Sequence, residues 1–220
     1  MALVGTAICD SVSTQHTLAA GNGNRIVVAG YFVNNEPLDA TPTGVTYGGQ
    51  EMTHAVSDVL TGTDPLCVYF FYLLEANLPA NGANSLDFTA LDNSTGGQGM
   101  WVACFDDLAQ AAPTFAGSAI PSGNNCIIDI TIDTTNDTAV YFAGHRSRET
   151  FSSTTLDAYL FLDINSGGNS IVGGYALTEP AGTYTANWVS TTSAPGRVLG
   201  MAFAQEAATA GTSTILQQHG

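Results

Sequence analysis

Two long apolar runs dominate the pattern of hydrophobic and polar residues in the first half of the chain. They span residues 25–33 and Leu66–Leu74, are rich in β-branched and aromatic side chains, and are bounded by polar turn residues. Such runs indicate strands that are buried on both faces or central in a sandwich. Between them, Gly48-Gly49 supplies the positive-φ positions of a tight hairpin with Thr46-Tyr47 and Met52-Thr53 as its arms.

The rest of the chain predicts further short strands. In residues 126–133, Ile127 and Asp129 alternate with Ile128 and Ile130, which is typical of a strand with one buried face. About a dozen strands at short spacing, without a long amphipathic helix, favour an all-β antiparallel β-sandwich of the jelly-roll type. Residues 108–125 are the best candidate boundary, but two halves would leave unpaired strand edges. We therefore predict one domain over residues 1–205, followed by a small-residue tail at residues 206–220.

The charge of the chain is strongly acidic. Nineteen Asp and Glu residues accompany four Arg and no Lys, which gives a formal net charge of −15. Such a surface repels nucleic acid and anionic membranes, because it has few cations to displace phosphate counterions. We expect neither kind of partner. Copies of the chain also repel one another, so any assembly must neutralise charge at its contacts.

The four cysteines give no sign of a metal site. Cys9, Cys67, Cys104 and Cys126 form no Cys-x-x-Cys pair. Those in apolar runs are expected to be buried free thiols, with a Cys67–Cys104 disulfide as the alternative. The chain also lacks a basic start with a long apolar core, and no run approaches the ~20 apolar residues that span a bilayer. We therefore expect synthesis in a cytoplasm.

Strand and turn motifs recur in a recognisable order over most of residues 20–205. They are residues 26–33, the stretch Val45-Thr-Tyr-Gly-Gly-x-x-Met-Thr53, Tyr72-Leu-Leu-Glu-Ala-Asn77, Leu86-Asp-Phe-Thr89, residues 102–113, Asn136-Asp-Thr-Ala-Val-Tyr141 and residues 198–204. This order resembles a jelly-roll β-sandwich type, similar to concanavalin-like sandwiches, found in tailed-phage virion proteins and in bacterial surface or secreted proteins. The motifs are structural, so the resemblance implies a fold and brings no catalytic residues.

Catalysis and metal binding find little support in the residue pattern. A sandwich glycosidase needs two carboxylates that flank the scissile bond. The close alternating acids, Asp129 and Asp133, are typical of the solvent-facing side of an amphipathic strand. No nucleophile elbow appears, and the histidines are expected in surface or turn positions. Residues 133–137 offer oxygens for calcium, but an Asx-type turn explains them without an ion. We expect no enzyme activity, no metal and no cofactor.

Two groups of residues are candidates for binding. Two of the four arginines fall in one short stretch, where an internal salt bridge competes with a partner contact through His145, Arg146, Arg148 and Glu149. Gln217 and Gln218 in the tail are further candidate contacts, because a tail of this composition needs a surface to order it. Aromatic residues in the late strands, Tyr175, Tyr184 and Trp188, form a candidate glycan platform, although strand aromatics are more often core.

The resemblance to jelly-roll virion proteins, the expected synthesis in a cytoplasm and the small-residue tail together imply a non-enzymatic virion structural protein, most of all a phage capsid decoration or head-surface protein. We expect it to bind the major capsid protein or another virion protein and sibling subunits, with a trimer favoured, and to be located in the virion. A glycan-binding or adhesive surface module is the alternative, and a sandwich glycosidase is the third hypothesis.

Overall fold

A computed structural model gives the fold of the protein and describes residues 2–5, 8–10, 15–34, 44–61, 65–88, 98–121, 125–146, 151–152, 155–164, 169–190 and 196–206. Apart from a short 3-10 helix at Glu75–Asn77, the regular elements of these residues are β-strands, and their pairings are antiparallel. The predicted all-β antiparallel sandwich is therefore confirmed, whereas the jelly-roll detail stays a prediction.

The strands fall into two consecutive sets, which we call the N-terminal half and the C-terminal half. The N-terminal half contains β1 (Ile8–Asp10), β2 (Gln15–Leu18), β3 (Ile26–Asn34), β4 (Thr46–Tyr47), β5 (Gln50–Glu51), β6 (Thr53–Leu60), β7 (Leu66–Leu74), β8 (Gly82–Asp87) and β9 (Gln98–Phe105). The C-terminal half contains β10 (Phe115–Ala119), β11 (Asn125–Ile132), β12 (Asp137–His145), β13 (Phe151–Ser152), β14 (Ala158–Ile164), β15 (Asn169–Glu179), β16 (Gly182–Ser190) and β17 (Gly196–Phe203).

Each half contributes one inner and one outer sheet. The inner sheets have the strand orders β1-β9-β3-β7-β6 and β10-β17-β12-β15-β14, and the outer sheets have the orders β2-β8-β4-β5 and β11-β16-β13. One hydrophobic cluster lies between the two inner sheets, and a further cluster lies between each inner sheet and the outer sheet of its own half. The described chain is therefore a stack of four β-sheets, with the two inner sheets back to back.

The four layers explain the long apolar runs. In β3, Val28 and Phe32 point towards the other inner sheet, whereas Val27 and Tyr31 point towards the outer sheet of the N-terminal half. Every residue of β3 is buried, as is nearly every residue of β7. Strands covered on both faces need apolar residues at every position, which confirms the prediction from their composition.

The hairpin between the apolar runs forms at the predicted glycines. Gly48 and Gly49 have φ angles of 56° and 79°, and Tyr47 pairs with Gln50 across this two-residue turn. Positive φ at both central residues is the requirement of a type I′ turn, which glycine meets without strain. The second arm is Gln50–Glu51 rather than the predicted Met52-Thr53.

Two strands have little in their own sequence that predicts them. They are β2 and β10, and β10 lies within residues 108–125, the candidate boundary. Both consist largely of small or polar residues, and both pair at the edge of a sheet, where only part of a strand is buried. The single-domain prediction for residues 1–205 stays a prediction, and residues 207–220 of the tail lie outside the described residues.

The described cysteines are buried thiols and do not form the Cys67–Cys104 disulfide. Cys67, Cys104 and Cys126 are buried free thiols, which confirms the prediction for these three and excludes the Cys67–Cys104 disulfide. Burial raises the pKa of the Cys104 thiol to about 12. Such a thiol stays protonated and packs as a small apolar side chain.

Candidate functional site

The predicted partner-contact stretch begins inside the protein rather than on its surface. His145 is the last residue of β12 and is only 1% exposed. It pairs with Ser170 on one side and with Gly196 on the other, and a Cβ on Gly196 would lie 2.7 Å from the His145 ring. The prediction of His145 as an accessible contact is wrong, because β12 continues one residue past Gly144 as a central strand. Arg146 is partly buried, and Arg148, Glu149, Gln217 and Gln218 lie outside the described residues.

A second histidine is also buried, against the expectation of surface or turn positions. His16 in β2 has no exposed surface, and its Nδ1 lies 2.8 Å from the Tyr47 hydroxyl. The two side chains come from strands of the same outer sheet, β2 and β4, which β8 separates, and their ring centroids are 5.8 Å apart. A hydrogen-bond partner of this kind is what allows a polar ring to be buried, and sequence spacing gives no sign of it.

The candidate glycan platform is not one surface. Tyr175 packs against the cluster between the two inner sheets, with its ring 5.2 Å from that of Phe105, whereas Tyr184 packs against the cluster beneath the outer sheet of the C-terminal half. The Tyr184 hydroxyl donates to the backbone carbonyl of Thr155. Trp188 lies in β16 opposite Cys126, and its side chain is outside the description. Glycan binding itself stays a prediction.

Burial raises the pKa of both tyrosines of the candidate glycan platform, Tyr175 and Tyr184. It raises the pKa of Tyr184 to about 12, to which the nearby Glu179 and Asp157 carboxylates add. It also raises the pKa of Tyr175, again with a contribution from Asp157. Both phenols are therefore neutral packing groups at physiological pH rather than acid–base catalysts.

The alternating strand predicted at residues 126–133 forms the outer layer of the C-terminal half. In β11, Ile128 and Ile130 are buried and Ile127 and Asp129 face outward. The outward residues of β11 and of its partner β16 together make one surface, which we call the outward C-terminal face. Its members are Asn125, Ile127, Asp129, Thr131, Thr183, Thr185, Asn187 and Val189.

This outward C-terminal face is nearly uncharged for so acidic a protein, and it exposes two aliphatic side chains among Thr and Asn residues. Ile127 and Val189 are 38% and 39% exposed, and Ile120, which lies between β10 and β11, is 70% exposed. All exposed large hydrophobic side chains of the described residues thus belong to the C-terminal half. Asp129 is the one carboxylate among the eight members, and the Thr185 hydroxyl donates to it at 2.7 Å. This combination is typical of a contact surface.

The remaining arginines of the described chain form internal ion pairs. Arg25 donates hydrogen bonds to the Glu75 carboxylate from Nε at 2.8 Å and from NH2 at 2.6 Å. Its NH1 donates to the Ala19 carbonyl and to the Asn81 side chain. The hydrogen bond from Arg25 is the largest factor that lowers the pKa of Glu75. Arg197 donates from Nε to Asp58 at 2.8 Å. These cations stabilise the fold and contribute little to the surface.

Two adjacent acids, Asp106 and Asp107, contact residues near the beginning and at the end of the described chain. Asp106 is buried, and its carboxylate accepts hydrogen bonds from the backbone nitrogens of Ala2 and Asn22. The neighbouring Asp107 has a φ angle of 56°, and its carbonyl accepts from the backbone nitrogen of Glu206. Asp106-Asp107 therefore joins the residues that follow β9 to Ala2 and Asn22 and to Glu206.

The turn at residues 133–137, which offered oxygens to calcium, uses one of its two carboxylates internally. Thr134 donates to Asp137 from its backbone nitrogen and its hydroxyl, and Asp137 is fully buried. Within the described ranges, no group of three or more His, Cys, Asp or Glu side chains could hold a metal ion.

Comparisons with protein-family models, with curated proteins and with solved structures found no match. No helix of the described chain is long and apolar enough to cross a membrane.

Proposed function

We propose that this chain is a non-enzymatic structural protein of a tailed-phage virion, displayed on the capsid surface as a decoration protein. The outward C-terminal face contacts the shell or a sibling subunit, and the acidic remainder of the surface faces solvent. The motif order that resembles virion sandwiches supports the virion assignment, and the position of the exposed hydrophobic side chains supports the choice of face.

The exposure of Ile127 and Val189 on one face is the observation that carries the proposal. A contact that covers these side chains recovers about 25 cal/mol for each Å² of apolar surface removed from water. Ile127 and Val189 lie on the same outward face, in the paired strands β11 and β16, so a single partner surface can cover both. A large rigid partner such as a capsid shell meets this requirement.

The charge distribution favours the same face. A chain with a formal net charge of −15 can approach another acidic surface only where its own carboxylates are few or neutralised. The outward C-terminal face has a single carboxylate, which is hydrogen-bonded to Thr185. Contact through this face therefore adds little repulsion, and it leaves the neighbouring Thr and Asn side chains to form hydrogen bonds at the rim.

Sibling contacts complete the proposal. Decoration proteins that sit on symmetry axes bind as closed oligomers, and we propose a trimer in which the tail at residues 206–220 adds contacts around the axis. Removing residues 206–220 then abolishes incorporation into particles while the four-sheet body remains folded. Normal decoration by the truncated chain would remove the tail from the proposal but would leave the role of the outward C-terminal face intact.

A matched pair of substitutions tests the contact face. Ile127→Glu places a charge on the outward C-terminal face, and Thr17→Glu places the same charge on an exposed position of β2 in the other outer sheet. In co-sedimentation with particles that lack the protein, we expect Ile127→Glu to weaken binding about tenfold or more. Thr17→Glu should bind as the parent does. Equal binding of both variants would place the contact elsewhere.

A further inference from the structure

The two halves of the chain have the same strand topology. If the hairpin β4-β5 is counted as one position, each half has eight positions along the chain. The inner sheet then has the order 1-8-3-6-5 and the outer sheet the order 2-7-4 in both halves. Within the described residues, no strand of one half pairs with a strand of the other, and only the isolated bridge between Leu108 and Gln205 joins them by pairing.

Local features recur at equivalent places. The seventh strand begins in both halves at a glycine with a large positive φ, 122° at Gly82 in β8 and 133° at Gly182 in β16. Each glycine follows a Pro-Ala pair closely, at Pro79-Ala80 and at Pro180-Ala181. Only glycine takes this backbone conformation readily, so the same turn has been kept twice.

The contacts between the inner sheets are reciprocal. Tyr72 at the end of β7 packs edge-on against Phe203 at the end of β17, with 6.0 Å between ring centroids. Tyr175 in β15 packs edge-on against Phe105 at the end of β9, at 5.2 Å. β7 and β15 are both sixth strands, and β9 and β17 are both eighth strands. The sixth strand of each half therefore contacts the eighth strand of the other half through a Tyr–Phe pair. Such reciprocal contacts are the signature of a two-fold interface.

The sheet edges follow the same rule. β6 lies against β10, and β14 lies against β1, so the fifth strand of each half meets the first strand of the other. At the centre, the two third strands, β3 and β12, face each other. We infer that the chain is a fused dimer of one sandwich unit, and that the surface between its inner sheets is a dimer interface whose partner is a second copy of that unit.

The centre of this interface shows why the two halves now prefer each other. A Cβ on Gly30 would lie 2.5 Å from the Phe142 ring, and a Cβ on Gly144 would lie 2.0 Å from the Phe32 ring. Each ring therefore fills the space above a glycine of the opposite third strand. Phe105 pairs with Ile26 of β3, and its counterpart Phe203 pairs with Thr138 of β12, so Gly30 corresponds to Phe142 and Phe32 to Gly144. Each of the two contacts therefore joins equivalent positions of the two units.

This arrangement makes the interface between the two different halves more stable than an interface between two identical halves. If two N-terminal halves met in the same way, glycine would face glycine at position 30 and leave a void. Phenylalanine would face phenylalanine at position 32 and overlap. Both outcomes destabilise a packed core. The halves have thus diverged into complementary partners, in which a bulky residue on one unit meets a small residue on the other.

Exchanging one such pair tests the interface. Phe32→Gly and Gly144→Phe are measured alone and together by chemical unfolding of the full chain. Each single variant should be strongly destabilised, and the double variant, which moves the ring to the opposite sheet, should recover most of the loss. A double variant that is no more stable than the sum of the two single changes would overturn the complementary pairing. If a single variant does not fold, Gly144→Ala is made both in the parent and in a Phe32→Ala variant. A loss of stability that is as large in the Phe32→Ala variant as in the parent would also overturn the complementary pairing.

A cut between the halves tests the two units. Gln110, Ala111 and Ala112 are exposed between β9 and β10, so a protease site inserted there can be cleaved in the folded chain. We expect the two fragments to stay together at the mass of the intact protein, and after unfolding to reassociate one to one when mixed. The midpoint of unfolding should rise with protein concentration after cleavage and not before. Loss of β-structure on cleavage, or a midpoint independent of concentration, would contradict the fused dimer.

Discussion

The guanidinium of Arg197 donates from Nε to the carboxylate of Asp58 at 2.8 Å, and this ion pair joins β17 of the C-terminal half to β6 of the N-terminal half. The side chains are only 10% and 19% exposed, and NH1 of Arg197 also donates to the Gly196 carbonyl. A largely buried ion pair between the two inner sheets fixes their relative position as well as contributing stability.

Removing the Asp58 carboxylate should destabilise the protein, because the buried Arg197 charge then has no partner. Asp58→Ala leaves the Arg197 charge without its acceptor, and we expect the free energy of unfolding to fall by about 3 kcal/mol. Asp133→Ala, at an exposed acid, is the matched control and should change it by less than about 0.5 kcal/mol. Chemical denaturation of the three proteins measures both values. A loss at Asp58 no larger than at Asp133 would show that the ion pair does not hold the halves together.

The Arg25–Glu75 pair predicts a dependence of stability on pH. Arg25 lowers the pKa of Glu75 below its ordinary value of 4.5, so Glu75 contributes its full stabilisation above pH 4.5 and loses it as the pH falls through the lowered pKa. The difference in unfolding free energy between the parent and Glu75→Gln should therefore be constant near pH 6 and shrink towards about pH 3. Glu51→Gln, at an exposed acid, is the control. A difference that does not change over this range would contradict the assignment.

A close approach of backbone to an aromatic ring predicts the effect of one methyl group. A Cβ on Gly173 in β15 would lie 2.0 Å from Cγ of Trp101 in the opposite inner sheet. Gly173→Ala therefore forces the indole or the strand to move, and we expect a loss of about 3 kcal/mol. Ser118→Ala on exposed β10 should be close to neutral. Thermal unfolding compares the two, and a Gly173→Ala variant as stable as the parent would mean that the inner sheets are less tightly packed.

Buried thiols predict a chemical readout of folding. Cys67, Cys104 and Cys126 are buried, and the pKa of Cys104 is raised to about 12. In a Cys9→Ser variant, a thiol-specific chromogenic reagent should label almost no thiol in the native protein and all three after unfolding. The rate of labelling then reports the opening of the core. Fast labelling of the native protein would show that the four-sheet core opens readily.

The sequence predicts those parts of the fold in which a single strand reveals its own environment. β3 and β7 are apolar at consecutive positions because sheets cover both of their faces, and β11 alternates because one of its faces is exposed. The glycine hairpin is equally local. In each case, residues close to one another in the chain are enough to predict the element, because the periodicity of burial along one strand reflects the layers around it.

Features that depend on distant pairing escaped prediction. β2 and β10 have little apolar character of their own, and His16 is buried because Tyr47, thirty-one residues away, provides its hydrogen-bond partner. The repeated strand order is hidden because the equivalent third strands now have glycine where the counterpart has phenylalanine. For the candidate site, the alternation in β11 places Ile127 on an outward face, but only the register with β16 brings Val189 onto the same surface.

The most direct test of the account is the protein content of purified particles. Tailed-phage particles from cells that produce this chain are purified by density gradient, and the copy number of the chain relative to the major capsid protein is measured by quantitative mass spectrometry. The account predicts that the chain bands with the particles at a fixed ratio, and that Ile127→Glu lowers this ratio while Thr17→Glu does not. A chain abundant in the lysate but absent from the particles would contradict the proposed function.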